Sequence, residues 1–272
     1  MSAIQNVGMV GLGKMGLPMA KHQLARGFKV AGCDPVEACR SAARSAGLTV
    51  VYTPREVARL SDLVIVVVGF DHEVETVMSG IVQAARSGLM VGLASTVAPR
   101  YAQRLAKRLA ESGIVLLDIP LARGEAAAIA GKLLIYGAGD ERAFAACRPA
   151  FSAFASDIFH LGAAGAGQVG KMVNNLILWA CISANDEGLR LGEALGVDAA
   201  KLREALAHGS AQNWAMDNRA EDSGMPWAEK DMGIVLHEAD LARLSLPMSG
   251  TVKETIKGLK IRMGLGLPPG SE

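Results

Sequence analysis

The sequence predicts an α/β chain in which a doubly wound parallel sheet is followed by an all-helical domain. Three observations carry that expectation. Short β-branched runs alternate with helical stretches through the first 160 residues. One of those runs, Leu63–Val68, is apolar without interruption, as a strand buried on both faces requires. After His160 no convincing strand appears.

Taken in order, strands are expected at Asn6–Val10, Lys29–Cys33, Leu63–Val68, Leu89–Leu93 and Ile114–Asp118, with weaker candidates at Thr49–Val51 and Lys132–Tyr136. Segments of helical composition lie between them, as at Met15–Arg26, Pro54–Leu60 and Pro99–Ser112. The small-residue run Gly162–Gly167 reads as a hinge, which divides the chain into domains at 1–162 and 163–272. Beyond it a proline-free helical pattern extends from Gln168 to about Leu195, and shorter ones follow at about 198–208, 227–244 and 247–260. There is no internal repeat.

Composition narrows the function classes. Half of the 272 residues are apolar and 20% are charged, which excludes a disordered or low-complexity chain. The net charge is +1, made of about +4 over 1–161 and −3 over 162–272, so neither part is basic enough to point to nucleic acid. The longest apolar runs fall far short of the roughly 18–20 residues of a membrane span. Met1–Asn6 does not open a signal peptide. The four cysteines and five histidines show no metal-like spacing. A reduced, cytoplasmic, metal-free protein is expected.

The chemistry starts at Gly11-x-Gly13-x-x-Gly16, which directly follows a strand and opens a helix. The first glycine permits the tight turn, the second lets backbone approach a pyrophosphate, and the third lets helix and strand pack closely. A glycine-rich turn alone would be weak evidence, but Asp34 ends the second strand 18 residues after Gly16, where an acid hydrogen-bonds the adenosine ribose. This is the pattern of a Rossmann dinucleotide site, with Gly11, Leu12, Gly13, Lys14, Met15 and Asp34 as its residues. Asp34 repels a 2′-phosphate and no arginine follows it at once, which favours NAD while leaving NADP open.

Gly11-Leu-Gly-Lys-Met-Gly-Leu-Pro-Met-Ala20 resembles more than a generic fingerprint. It is similar to the β-hydroxyacid dehydrogenase family, whose members include 3-hydroxyisobutyrate dehydrogenase, tartronate semialdehyde reductase and sulfolactaldehyde reductase. Four further blocks match in the family's order: Ala94–Pro99, Asp118–Gly124, Gly165–Asn175 and Lys230-Asp231-Met232. The resemblance implies that Val68, Thr96 and Lys230 contact the cofactor. It makes Lys171 the acid/base, with Asn175 beside it, and Asn174, Arg123 and Gly124 substrate residues. The active site is then expected between the two domains.

The residues themselves support the catalytic assignment. Lys171 and Asn175 are i and i+4 on the proline-free helix and share a face, with Asn174 beside them. The same cluster would also make a solvated helix edge. A lysine suits hydride chemistry because its ammonium can give a proton to a carbonyl oxygen as hydride arrives. For oxidation it must first lose that proton, which burial or a neighbouring positive charge favours.

One block departs from the family. Its substrate loop usually reads D-x-P-V-S-G-G, whereas here Ala122 replaces the serine and Arg123 the first glycine, leaving Gly124. A hydroxyl donor is lost and a planar cationic fork is gained, able to hold an anion or to lie on the surface. Sulfolactaldehyde reductase also carries an arginine there but continues its helix with a serine where this chain has Leu178. The expected substrate is therefore a small semialdehyde or 3-hydroxy acid with an anionic group, not specifically a sulfonate.

Two alternatives stay open: imine reduction or oxidative decarboxylation on the same scaffold, and a non-catalytic dinucleotide-binding scaffold. Neither nucleic acid nor membrane is an expected partner, and the apolar second domain points to a homodimer or homotetramer. Asp71 is expected to cap a helix, His237 to be structural and Cys181 to lie in the core.

Overall fold

The computed structural model describes residues 4–84, 86–218 and 224–266, and the chain divides into two compact units, 1–171 and 172–272. The division falls inside a long helix, whereas Gly162–Gly167, the expected hinge, leads into that helix.

The first unit begins β1 (Asn6–Val10), α1 (Gly16–Ala25), β2 (Lys29–Cys33), α2 (Glu37–Ser45), β3 (Thr49–Val50), α3 (Pro54–Leu60), β4 (Leu63–Val66), α4 (Asp71–Val82), β5 (Met90–Leu93), α5 (Pro99–Ala110) and β6 (Val115–Asp118). It continues with β7 (Leu121–Ala122), α6 (Gly124–Ile129), β8 (Leu133–Gly139), α7 (Glu141–Phe151) and β9 (Ala155–His160). The strands lie in the order β3-β2-β1-β4-β5-β6-β8-β7, with β9 on β8. From β3 to β6 every pairing is parallel, which is the 3-2-1-4-5-6 order of a dinucleotide-binding Rossmann sheet. In such a sheet ligands bind beyond the carboxyl ends of the strands, where the order reverses between β1 and β4.

The uninterrupted apolar run behaves as its composition requires. Every residue of Leu63–Val66 is fully buried; Leu63 and Ile65 face one helical layer while Val64 and Val66 face the other. The first layer contains Met19 of α1 with Phe144 and Phe151 of α7, the second Val57 of α3, Met78 of α4 and Leu105 of α5. A capping box fixes the start of α3: the Thr53 side chain accepts from Glu56 N–H at 3.2 Å, and Glu56 accepts from Thr53 N–H at 2.9 Å.

Two strands, β7 and β9, lie outside the expected set. β7 has only two residues, and β9 reads Ala-Ser-Asp-Ile-Phe-His, too polar to signal a buried strand because it lies at the sheet's edge. Asp71 does not cap α4 but is its first residue. The Glu73 carboxylate caps it instead, accepting from Gly69 and Phe70 N–H at 2.8 and 2.9 Å.

The second unit holds most of α8 (Ala166–Ala194), with α9 (Ala199–Leu206), α10 (Trp214–Asn218), α11 (Ala228–Ala242) and α12 (Pro247–Arg262). Its core joins Trp179 of α8 to Met232 and Val235 of α11 and to Val252 and Ile256 of α12. Lys260, almost fully buried, is neutralised by Glu229 at 2.5 Å. Cys181 is half-buried rather than a core residue, and His237 is exposed. No helix among the described residues is long and apolar enough to cross a membrane.

Candidate active site

The Gly11–Gly16 turn is shaped by close backbone contacts. Gly11 has φ +93°, and a Cβ there would lie 2.2 Å from Val67 O; a Cβ on Gly16 would lie 1.9 Å from Gly11 O. Only glycine allows both approaches. At Gly13, by contrast, a Cβ would meet nothing within 4 Å. The N–H groups of Gly13, Lys14 and Met15 take no backbone acceptor among the described residues. Open space flanked by free N–H groups at a helix start fits a dinucleotide pyrophosphate.

Asp34 is fixed beside this turn. Its Oδ2 accepts from Leu12 N–H at 2.7 Å and its Oδ1 from Val36 N–H at 2.8 Å. Arg40, not singled out from the sequence, folds back to the Asp34 carbonyl at 2.6 Å while its Nη2 pairs with Glu37 at 2.6 Å. Lys14 is exposed and lies 3.4 Å from Glu125.

At the ends of β4 and β5, Val68 N–H donates to Ser95 Oγ at 2.8 Å, which brings Val68 beside the Thr96 segment. That segment also meets the start of α8, since Val97 N–H donates to Gln168 Oε1 at 3.1 Å and Gln168 Nε2 donates to Ser95 O at 3.0 Å. Asp118, wholly buried at the end of β6, accepts from Gly165 N–H at 2.6 Å. Burial pushes its carboxyl up to about 6, against the Gly165, Gln168 and Gly167 N–H groups that favour the anion. A Cβ at Gly167 would lie 2.4 Å from Tyr136 O, and one at Gly170 would lie 3.1 Å from the Tyr136 ring. The glycine-rich stretch is thus what lets the helix bearing Lys171 approach the sheet end.

Lys171 and Asn175 are one turn apart on continuous α8 and share its face. Asn175 is almost fully buried: its Nδ2 donates to Asp231 Oδ2 at 2.8 Å, and its Oδ1 accepts from Asn174 Nδ2 at 2.9 Å. Trp179 Nε1 donates to the same Asp231 oxygen at 3.1 Å. Next to Asp231, Lys230 Nζ sits 5.8 Å from the centre of the Trp227 ring.

Arg123 occupies the left-handed region, φ +83°, at the cap of α6, followed by the exposed Gly124 at φ +73°. Its Nη1 donates to Asp157 Oδ2 at 2.6 Å, Ser156 Oγ at 2.9 Å and Lys132 O at 3.1 Å. Ser156 and Arg123 together hold the Asp157 carboxyl below its usual range. Among the described residues Nε and Nη2 take no hydrogen bond, so one bidentate edge of the fork is open.

Sequence reasoning missed Ser95, Gln168, Asp157 and Asp231 as supports. Ser95, Gln168 and Asp231 lie inside motif blocks, which is the signal available for them, whereas Asp157 lies in none. No group of three or more metal-ligating side chains occurs among the described residues.

Residues 6–162 match the family described as the NAD binding domain of 6-phosphogluconate dehydrogenase. Residues 165–266 match that described as NAD-binding of NADP-dependent 3-hydroxyisobutyrate dehydrogenase. The chain is 31% identical over 263 residues to L-threonate dehydrogenase of Cupriavidus necator, covering 92% of this chain and 89% of that one. It is 32% identical over 273 residues to 2-(hydroxymethyl)glutarate dehydrogenase of Eubacterium barkeri, covering 96% and 90%. Among solved structures it is similar to Mycobacterium tuberculosis 3-hydroxyisobutyrate dehydrogenase with L-serine, at TM-score 0.85 and 25% identity, covering 96% and 94%.

Proposed function

The chain belongs to the β-hydroxyacid dehydrogenase family, and from that premise we propose that it is an NAD-dependent oxidoreductase of small 3-hydroxy acids and their semialdehydes, with Lys171 as general acid and base. The observation that carries the reading is Lys171 with Asn175 one turn later, on a helix whose first turn is seated at the carboxyl ends of β5 and β6. That is the end of the sheet at which a Rossmann domain binds its ligand.

When bound, the nicotinamide supplies or accepts the hydride at the substrate carbon. The protein residues do the rest. Lys171 gives its ammonium proton to the carbonyl oxygen in reduction and takes the hydroxyl proton in oxidation. Asn175, its amide fixed by Asp231, orients the substrate oxygen, and Asn174, whose amide also donates to Asn175, binds the substrate. Arg123 offers its open Nε–Nη2 edge, with Gly124 N–H, to the substrate's anionic group, while Asp157 holds the other side of the fork. Gly11, Leu12, Gly13, Lys14 and Met15 cradle the pyrophosphate. Asp34 takes the adenosine ribose, Thr96 meets the nicotinamide half, and Val68 and Lys230 contact the cofactor. Arg40 is already neutralised by Glu37, which supports NAD over NADP.

The four free cysteines suit the reducing cytoplasm. The protein works as a homodimer or homotetramer: among the described residues the smaller unit, 172–272, carries more of the exposed large apolar side chains than the larger one, Leu195, Leu244 and Ile261 among them. A monomer mass by light scattering at micromolar concentration would contradict this.

The test is a 340 nm screen of NADH and NADPH against semialdehydes, with NAD and NADP against hydroxy acids including L-threonate and L-serine. Lys171→Ala is expected to lower turnover by roughly 10²–10⁴-fold with NADH binding intact. Near-normal turnover in that variant overturns the lysine's role. Activity with cyclic imines alone, or release of CO₂, moves the reading to the other chemistries of the scaffold.

A further inference from the structure

Gln168 is a polar side chain with no solvent exposure, three residues before Lys171 on the first turn of α8. A buried amide must satisfy both its donor and its acceptor, since an orphaned one loses its water without replacement. Here Nε2 donates to Ser95 O at 3.0 Å while Oε1 accepts from Val97 N–H at 3.1 Å. The two bonds bracket Thr96 and hold its backbone as a neighbouring strand would. Ser95 is held independently from the other side, its Oγ accepting from Val68 N–H at 2.8 Å. An amide of this length provides a donor and an acceptor together at any pH: leucine has neither, and an ionised glutamate presents an acceptor to the Ser95 carbonyl.

We propose that Gln168 is a positioning residue that locks the Ser95–Thr96–Val97 segment to the first turn of α8. It thereby sets the nicotinamide half of a bound dinucleotide against the helix that carries Lys171. This rests on the reading above that Thr96 meets that half of the cofactor. The adenosine half is held elsewhere, by the Gly11–Gly16 turn and Asp34. The start of α8 has a second anchor in Asp118, through Gly165 N–H at 2.6 Å, so loss of Gln168 loosens the segment without unseating the helix.

The consequence is an asymmetry between the two halves of the ligand. Gln168→Leu is expected to bind NADH about 10-fold more weakly, as titrated by NADH fluorescence. Its affinity for ADP-ribose, measured calorimetrically, should stay within about 2-fold of the parent's. In Gln168→Glu the NADH affinity should recover as pH falls, because the neutral carboxyl again offers both a donor and an acceptor. Unchanged NADH affinity in Gln168→Leu overturns the proposal. Equal loss of NADH and ADP-ribose, with a lowered melting temperature, also overturns it, since Gln168 would then support the domain as a whole. A parent protein that binds neither ligand defeats the dinucleotide reading itself, a result distinct from either of these.

Discussion

Replacing Asp118 with asparagine isolates the electrostatic cost of seating α8. The side chain has no exposure; one oxygen takes Gly165 N–H at 2.6 Å, and the other has no partner among the described residues. Burial raises the carboxyl from the usual 3.8 to about 6. Between those values the folded state binds more protons than the unfolded one, so stability falls as pH rises. Below pH 3.8 the group is neutral in both states and contributes no penalty; above about 6 it is charged in both and the whole penalty is present. At about 1.36 kcal/mol per pH unit, the interval corresponds to roughly 3 kcal/mol. Asparagine does not titrate, so the stability of the parent relative to Asp118→Asn should drop by roughly 2–2.5 kcal/mol of that between pH 4 and pH 7, other groups cancelling in the difference. Urea denaturation at several pH values measures it, followed by far-ultraviolet circular dichroism because Trp179, Trp214 and Trp227 all lie beyond residue 171. A difference constant to within about 0.5 kcal/mol across that range refutes the reasoning. It would mean that the N–H groups at the start of α8 compensate the buried charge in full.

Other substitutions test the remaining parts. Gly13→Ala should leave the melting temperature unchanged yet weaken NADH at least 10-fold, because the new Cβ meets no protein atom and enters the space assigned to the pyrophosphate; Gly16→Ala should lose binding and stability together, its Cβ falling 1.9 Å from Gly11 O. Normal NADH affinity in the Gly13 variant would rule out that placement. Asp231→Asn should cost the unit 172–272 about 1.5–3 kcal/mol, the range of a hydrogen bond to a charged group, and red-shift Trp179 fluorescence, since Trp179 Nε1 and Asn175 Nδ2 share one carboxylate oxygen. An unchanged emission maximum and midpoint would remove Asp231 from that role. Arg123→Ala should raise KM for anionic substrates about 10-fold or more with kcat little changed, the signature of lost uniform binding. An unchanged KM leaves Arg123 only as a clamp from the cap of α6 to Asp157.

The elements legible in the sequence are those whose pattern is local. β4 was readable because a strand buried on both faces must be apolar at every position, and Leu63–Val66 is. The Gly11–Gly16 turn was readable because backbone crowding admits only glycine at two of its positions. β9 was not: an edge strand needs no apolar alternation, and its pairing with β8 is set by the partner strand. The glycines of 162–167 announced a break in texture, but not that Gly167 exists to let α8 approach Tyr136.

For the site the division is similar. The order of the motifs, the four-residue spacing of Lys171 and Asn175 and the acid at the end of β2 follow from the chain alone, because covalent spacing and helical period fix them. What each polar side chain is bonded to does not follow. Gln168 reaches back 73 residues to Ser95, Asp118 reaches forward 47 to Gly165, and Asn175 finds its acceptor 56 residues away in Asp231. Arg123 could be read as a cation free for an anion, and the fold shows one side of it already held by Asp157. Spacing along the chain decides which residues share a helix face. Which of them carry a buried partner is decided by tertiary packing, which removes water and makes a hydrogen bond from a distant segment obligatory.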